Sequence, residues 1–540
     1  MPVITAFGGS TGKRSARVVI GTTNAGYTAS DVDFLCNGSN DSAMFASALT
    51  SISAVGGEIK ILDGTYILSK PWAIERNNIK VTGSGAGITV LRMTGTRNSS
   101  AAAADAKSNN AVVYLSGSNN AIEGLTLANG MSPTVGVSYG IYVAESNHVT
   151  VTGTLCDNAS SNQSSHGIFF NGCTDCVADY NTVSNSTGAS VNCFGITLDA
   201  AFSDNNAILD NTVENSGNGT VFGVYLNYSS SHNVIRGNRV STSAVGTSGS
   251  CYGVYLNSEN CSNVIEGNIF TNTSAGTTAG NSYCRGVSMT GNSNGNSVIA
   301  NTFTNSAVLS SFGVDCNGSK NNVIAGNTIS NSDTGNGNEG ILLIGTASYN
   351  VVQGNIISNS TSALSSRGID NNAPYNVISG NVILNSNSGS ATNDLCYGIL
   401  SSGDHCTITG NVIANNSAVG ICYGMYLSGS DNNSVTGNTV SNGSSGGYAY
   451  GIYLANVTNS RVSCVFGGKS ATFTGFALYI IGTGNTYNQI TNNNYRNWGQ
   501  YGSGLYTSDG SVTASLPGSA TTISTFTIIG TGSVSGFDMR

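Results

Sequence analysis

Residues 223–226 read Gly223-Val224-Tyr225-Leu226, and residues 233–238 read Asn233-Val234-Ile235-Arg236-Gly237-Asn238. Both phrases return in the next stretch, as Gly253-Val254-Tyr255-Leu256 and Asn263-Val264-Ile265-Glu266-Gly267-Asn268. The first glycine recurs at 140, 167, 195, 223, 253, 286, 313, 340, 368, 398, 424 and 451, at spacings of 26–33 residues. The closing asparagine recurs at Asn181, Asn211, Asn238, Asn268, Asn301, Asn327, Asn355, Asn381, Asn411 and Asn438. A further asparagine follows four residues after nearly all of these, with Thr242 as the exception.

Inside each phrase the apolar period is two. Val224 and Leu226 alternate with Tyr225, and Ile235 and Val240 flank Asn238. That is the period of a strand, whose side chains alternate between faces. Each repeat then holds about three short strands separated by Gly/Asn turns. A helical repeat of this length would show a period near 3.6 and would not tolerate so much glycine and asparagine. The repeat is therefore one turn of a coil in which each strand pairs with its counterparts in the neighbouring turns, roughly 4.8 Å away. The predicted fold is all-β, a right-handed single-stranded parallel β-helix with three short strands per turn, an N-terminal amphipathic capping helix and a small C-terminal β cap. In such a coil like residues stack on like. Asn211, Asn238, Asn268, Asn301, Asn327, Asn355, Asn381, Asn411 and Asn438 are expected to form a structural ladder that satisfies turn groups left over by strand pairing. Asparagine also tolerates the left-handed backbone that tight corners need.

Composition agrees with a solenoid. Glycine contributes 71 of 540 residues, proline 5, and charged residues 9%. Low charge with 39% apolar residues does not describe a disordered chain. The net charge of −8 comes without a basic patch, so nucleic acid is not an expected partner. No apolar run reaches the length of a membrane span. The start, Met1-Pro2-Val3-Ile4-Thr5-Ala6-Phe7-Gly8, lacks the pattern of a secretory signal peptide. The 13 cysteines are an odd number in a long chain, which does not read as a disulfide framework. Cys193, Cys251, Cys284, Cys396 and Cys422 each sit two residues before a repeat glycine, as a buried column of small residues would. Cys173 and Cys176 form a lone CxxC without a second pair at zinc spacing, so neither a metal nor a cofactor is expected.

The ends differ. Asn40 to Ser53 places Met44, Phe45, Ala48, Leu49 and Ile52 on one helical face, with Asn40 or Asp41 as the cap. Gly56-Gly57 and a strand pair follow, Glu58–Leu62 and Thr65–Leu68 joined at Asp63-Gly64. This order of acidic helix start, amphipathic helix, Gly-Gly, strand and Gly64-Thr65-Tyr66 resembles the N-terminal cap of pectate-lyase-like β-helix proteins, of the kind found in bacteriophage tailspikes and tail fibres. The downstream phrases are similar to NosD-like repeats. The expected organisation is an attachment segment at 1–30, the cap and first turns at 31–130, regular repeats at 131–465, and last turns with a C-terminal β cap or assembly segment at 466–540. Residues 97–110 read as an exposed loop and 522–529 as part of the terminal cap.

Candidate function lies on outward positions. The residue two after each repeat glycine includes Tyr142, Phe169, Tyr225, Tyr255, Tyr426 and Tyr453. Such a stripe can stack on sugar rings, be buried against a sister subunit, or reflect only the strand preference of aromatics. Asp315 and Asp370 occupy the same column two turns apart, roughly 9–10 Å. Inverting glycosidase carboxylates fall near that separation, so these two are the catalytic candidates if the chain is an enzyme. The resemblance implies a phage or phage-like tailspike or tail-fibre protein. It would present a rigid β-helical rod to cell-surface polysaccharide as a homo-oligomer, trimer favoured, and join other virion or surface-assembly proteins through its termini. Its place would be the virion or extracellular surface, or alternatively a secreted or cell-surface site. Recognition is favoured over catalysis. The alternatives are a polysaccharide lyase or glycoside hydrolase of the same class, and a self-assembling surface filament.

Overall fold

The computed structural model describes residues 16–481, apart from 95–110, 131–136, 161–163, 188–190, 201, 248, 277–281, 336, 362–364, 388–394, 418–419, 445–447 and 467–474. Beyond 481 it describes 488–491, 505–507, 512–515 and 534–535. The expected loop at 97–110, the first half of the attachment segment and most of the C-terminal cap lie outside the described residues. The chain is a parallel β-solenoid of about 12 turns, with 61% strand and only 3% helix, which excludes a helical repeat. It divides into two units, Met1–Thr271 and Asn272–Arg540.

In the first unit one turn runs through Val221–Asn227, Val234–Arg236 and Arg239–Ala244. Its strands pair in parallel and in register with their counterparts, Val224 opposite Val254 and Ile235 opposite Ile265. The alternation read from sequence holds. Val224, Leu226, Ile235 and Val254 are fully buried. The second unit repeats the plan with Ser310–Asn317, Val323–Ala325 and Thr328–Asp333, where Val314 faces Ile341 and Ile329 faces Ile357.

The repeat glycine has a steric reason. A Cβ on Gly195 would meet Val213 Cγ1 and the carbonyl of Gly223, both at 2.4 Å; on Gly223 it would meet Val240 Cγ1 at 2.2 Å and the carbonyl of Gly253 at 2.6 Å. Successive glycines stack, and each lets its strand press onto an apolar side chain of another strand, valine at Gly195 and Gly223, isoleucine at Gly313 and Gly340. Cys193 and Cys251 share one buried column in the first unit, and Cys284, Cys396 and Cys422 share one in the second, all with no exposure.

The asparagine ladder is present in both units. Asn181 Nδ2 donates to Asn211 Oδ1 at 3.0 Å, Asn211 to Asn238 at 3.0 Å, and Asn238 to Asn268 at 2.9 Å. In the second unit the chain of donors runs Asn301, Asn327, Asn355, Asn381, Asn411, Asn438 at 2.9–3.1 Å. The left-handed corner residue, however, is the one before the ladder asparagine: Asp210, Gly237, Gly267, Gly354 and Gly410 have φ between +51° and +68°. The ladder asparagines serve their amide chemistry and not the corner's backbone.

Two details of the cap differ from expectation. Asp41 stands at the N-cap of helix Ser42–Ser51 but makes no side-chain cap. Its buried carboxylate instead accepts from the N–H groups of Asn37, Gly38 and Ile67, tying the loop before the helix to a strand. Gly57–Ile61 and Gly64–Leu68 do not pair with each other. The first pairs in parallel with Arg17–Thr22 and Ile79–Thr82, the second with Thr89–Met93. Asp63-Gly64 is a corner of the coil and not a hairpin turn. Of the predicted apolar face, Phe45, Ala48, Leu49 and Ile52 are buried and Met44 is 40% exposed.

Candidate functional site

The glycine-centred strands carry two outward columns, not one. With no side chain at the glycine the strand dips toward the core, and the residues one before and two after it converge on the outer face. In the first unit the column before the glycine is Tyr139, His166, Phe194, Phe222 and Tyr252, the first four buried and Tyr252 half-buried, stacked ring on ring at 5.1, 4.2, 4.8 and 5.1 Å. The predicted column beside it places Tyr142 against Phe169 at 4.9 Å and Tyr225 against Tyr255 at 5.6 Å. The columns touch edge to face, as Tyr139 with Tyr142 at 5.0 Å and 89°. Phe169 is buried, while Tyr142, Tyr225 and Tyr255 are half-buried. Asn257 donates to the Tyr225 hydroxyl at 3.3 Å and to Asn227 Oδ1 at 3.0 Å, and Asn227 donates to Asp199 at 3.0 Å. A polar ladder thus edges the rings. Burial pushes the Tyr225 hydroxyl up to about 12, so it remains a donor.

In the second unit Tyr397, Tyr423 and Tyr450 stack at 5.0 and 5.1 Å, and Tyr426, Tyr453 and Tyr479 at 4.9 and 4.8 Å. The two columns meet at right angles, Tyr423 with Tyr426 at 5.2 Å and Tyr450 with Tyr453 at 5.2 Å. The second set of repeat asparagines positions this face from behind. Asn331, Asn359, Asn385 and Asn415 donate to the backbone carbonyls of Glu339, Arg367, Tyr397 and Tyr423, the residues just before each glycine.

Between Arg285 and Asp370 the same two columns turn from aromatic to charged. Arg285 Nε lies 3.0 Å from Asp315 Oδ2, which also accepts from the Ser288 hydroxyl at 3.3 Å. The Arg285 guanidinium covers the Tyr283 and Phe312 rings at 4.7 and 5.0 Å. Arg367 Nη1 bridges Glu339 at 2.7 Å and Asp370 at 3.0 Å, and Asn372 donates to the other Asp370 oxygen at 2.9 Å. Asp315 and Asp370 do share one column, with Leu342 between them, and Glu339 stands in the adjacent column on the turn between. Although they face outward, Asp315 and Asp370 are only 5% and 2% exposed. Burial raises the pKa of both above the ordinary carboxylate range, against the pull of Arg285 and Arg367. Glu339 is pushed further, to about 7, by burial and then by the charge of Asp370. Asp315 Oδ1, Glu339 Oε2 and Arg367 Nε are buried and have no hydrogen-bond partner among the described residues.

Sequence reasoning singled out Asp315 and Asp370 but missed Glu339, Arg285, Arg367 and the whole column from Tyr139 to Tyr252. The signal was available: the position before each repeat glycine is aromatic or charged at Tyr139, His166, Phe194, Phe222, Tyr252, Arg285, Phe312, Glu339, Arg367, Tyr397, Tyr423 and Tyr450. Strict alternation hid it, because glycine and the residue after it both count as inward.

Comparison with known families places this geometry. Residues 285–451 match the family model described as right handed beta helix region. The coil is a right-handed parallel β-helix. Residues 72–308 match the model described as periplasmic copper-binding protein (NosD). Among the described residues no group of three or more His, Cys, Asp and Glu is placed to hold a metal ion. No curated protein sequence matches the chain. Among solved structures the β-helix is similar to the ORF18 protein of Geobacillus virus E2, at 14% identity and TM-score 0.34, over 64% of this chain and 57% of that one. The chain thus spans less than two thirds of that protein's length. It is also similar to a mutant tailspike protein of E. coli bacteriophage HK620 in complex with a pentasaccharide, at 13% identity and TM-score 0.36, over 97% of this chain and 78% of that one. The N-terminal fragment of bacteriophage Phi29 gene product 12 matches at 13% identity and TM-score 0.38, over 92% and 90% of the two chains. No helix among the described residues is long and apolar enough to cross a membrane.

Proposed function

We propose that this β-helix recognises polysaccharide along the outer face of its glycine-centred strands, as a homotrimeric tailspike or tail-fibre subunit of a phage or phage-like particle. One observation carries the glycan reading: the double ladder of stacked rings edged by amides and hydroxyls. Saccharides offer flat C–H faces and a rim of hydroxyls. Tyrosine presents the matching combination, an apolar ring with a polar tip. Successive turns repeat this every 5 Å or so, so a polymer of like residues meets like contacts. The virion placement, the trimer and the joining to other assembly proteins through the termini rest on the resemblance of the cap and repeats. The test is the double variant Tyr225→Ala with Tyr255→Ala, measured by affinity electrophoresis in bacterial surface polysaccharides. Loss of retardation by about tenfold or more with unchanged mass supports the proposal. Release of monomers from a folded oligomer makes the face a subunit interface, and survival of both properties removes the reading.

A second reading has its own observation. A carboxyl that keeps its proton near neutral pH beside ionised carboxylates has what a general acid needs. Glu339, pushed up to about 7, keeps much of its proton at neutral pH, and Asp315 and Asp370 stand one turn to either side. Glu339 would protonate the leaving oxygen and one aspartate would activate water. Release of reducing ends by the wild type, lost in Glu339→Gln while binding persists, supports hydrolysis.

A further inference from the structure

The charged patch selects among glycans. We infer that the patch around Glu339 is a subsite for an uncharged sugar residue, and that Asp315, Glu339 and Asp370 exclude chains bearing uronates. This rests on the glycan reading of the face and adds the class of sugar. Three buried atoms of the patch lack a partner among the described residues: Asp315 Oδ1, Glu339 Oε2 and Arg367 Nε. Asp315 belongs to a side chain only 8% exposed, and burying such an oxygen without a partner is costly. A ligand reaches these atoms once it turns aside the side chains that cover them, and it then has to supply a donor to Asp315 Oδ1 and an acceptor to Arg367 Nε. A hydroxyl does both, donating through its hydrogen and accepting through its oxygen.

A uronate carboxylate cannot. It only accepts, so it serves Arg367 Nε and leaves Asp315 Oδ1 facing another acceptor. The charge count points the same way. Two guanidiniums face three carboxylates, with Arg285 held by Asp315 and Arg367 shared by Glu339 and Asp370. Glu339 is pushed up to about 7, so even the third resident carboxylate is only partly ionised at neutral pH. A fourth negative group brought in by the ligand meets a patch whose positive charge is already spent. The flanks suit a sugar face: Phe312 lies one turn before Glu339 in the same column and Tyr397 one turn after Arg367.

The experiment compares the full-length chain with soluble neutral polysaccharides (dextran, galactomannan, bacterial neutral O-chains) and uronate polymers (polygalacturonate, alginate, hyaluronan) by affinity electrophoresis at constant ionic strength. Binding to at least one neutral polymer, about tenfold or more tighter than to every uronate polymer, supports the inference. Asp315→Asn with Asp370→Asn should release both guanidiniums from their aspartates and raise uronate binding about tenfold or more, with the β-sheet circular dichroism unchanged. Glu339→Met should weaken neutral binding about tenfold, and Glu339→Gln, which keeps both a donor and an acceptor, should rescue it. Uronate polymers bound as tightly as neutral ones overturn the inference and leave the glycan reading standing. Binding to no polysaccharide overturns both. If the double aspartate variant fails to fold, the wild-type selectivity and the Met/Gln comparison decide alone.

Discussion

Replacing Asn355 with leucine tests whether the asparagine ladder holds the coil together. Asn355 is fully buried. Its Oδ1 accepts from the backbone N–H of Asn327 at 3.0 Å and from Asn327 Nδ2 at 2.9 Å. Its Nδ2 donates to the carbonyl of Ile324 at 2.9 Å and to Asn381 Oδ1 at 2.9 Å. Leucine removes all four bonds and fills the space, so water cannot replace them. Asn327 Nδ2 keeps the Val298 carbonyl and Asn381 Oδ1 keeps the N–H of residue 355. The Ile324 carbonyl keeps its strand partner in the parallel ladder, while the Asn327 N–H is left buried without one. At about 0.5–1.5 kcal/mol net for each of the four bonds, the loss is about 2–6 kcal/mol. The extra apolar burial of leucine offsets roughly 1–2 kcal/mol of that. The expected net destabilisation is about 2.5 kcal/mol at the middle of those ranges, read as a lower urea midpoint and faster unfolding. Ser330→Ala, on the exposed side of the neighbouring turn, is the control and should stay within about 0.5 kcal/mol of wild type. An Asn355→Leu midpoint and unfolding rate matching those of Ser330→Ala would refute the ladder as a source of stability.

Two pH effects follow from buried groups. Burial depresses His166 to about 3, so the unfolded chain takes up a proton near pH 6.5 that the folded chain refuses. Stability should therefore fall as pH drops below about 6.5, by at most about 1.4 kcal/mol per unit from this group, and His166→Phe should flatten that slope in urea titrations between pH 7 and 4. Glu339 has the opposite sign: its folded pKa of about 7 lies above the unfolded value, so its protonated form stabilises at low pH and that contribution is lost as pH rises toward and through 7. Glu339→Gln should match wild type near pH 4.5 and exceed it at pH 8 by on the order of 1–3 kcal/mol; equal midpoints at pH 8 would remove the premise that the patch resists charge.

Fold was legible because the repeat makes each local choice twelvefold. Gly223 and Gly253 mark the same place on successive turns, so one reading of Val224-Tyr225-Leu226 is checked by every other turn. The asparagine ladder was legible for the same reason, since a residue that stacks on its own kind must recur at the repeat length. The outward stripe through Tyr225 and Tyr255 followed from alternation. What escaped were departures from alternation. Gly223 and Val224 are both turned inward, which brings Phe222 to the outer face beside Tyr225.

The charged patch shows where sequence stops. Sequence by itself determined the period, the inward residues, the ladders and the presence of Asp315 and Asp370 in one column. Only tertiary structure decided that Glu339 stands between them, that Arg367 joins it to Asp370, and that the two aspartates are nearly buried although they face outward. The reason is physical. Strand pairing is set by backbone periodicity, which a sequence displays directly. Contact between residues on different turns and in different columns depends on how far side chains reach across a bend. That bend exists because Val240 and the backbone of the next turn occupy the space where a Cβ of Gly223 would have stood.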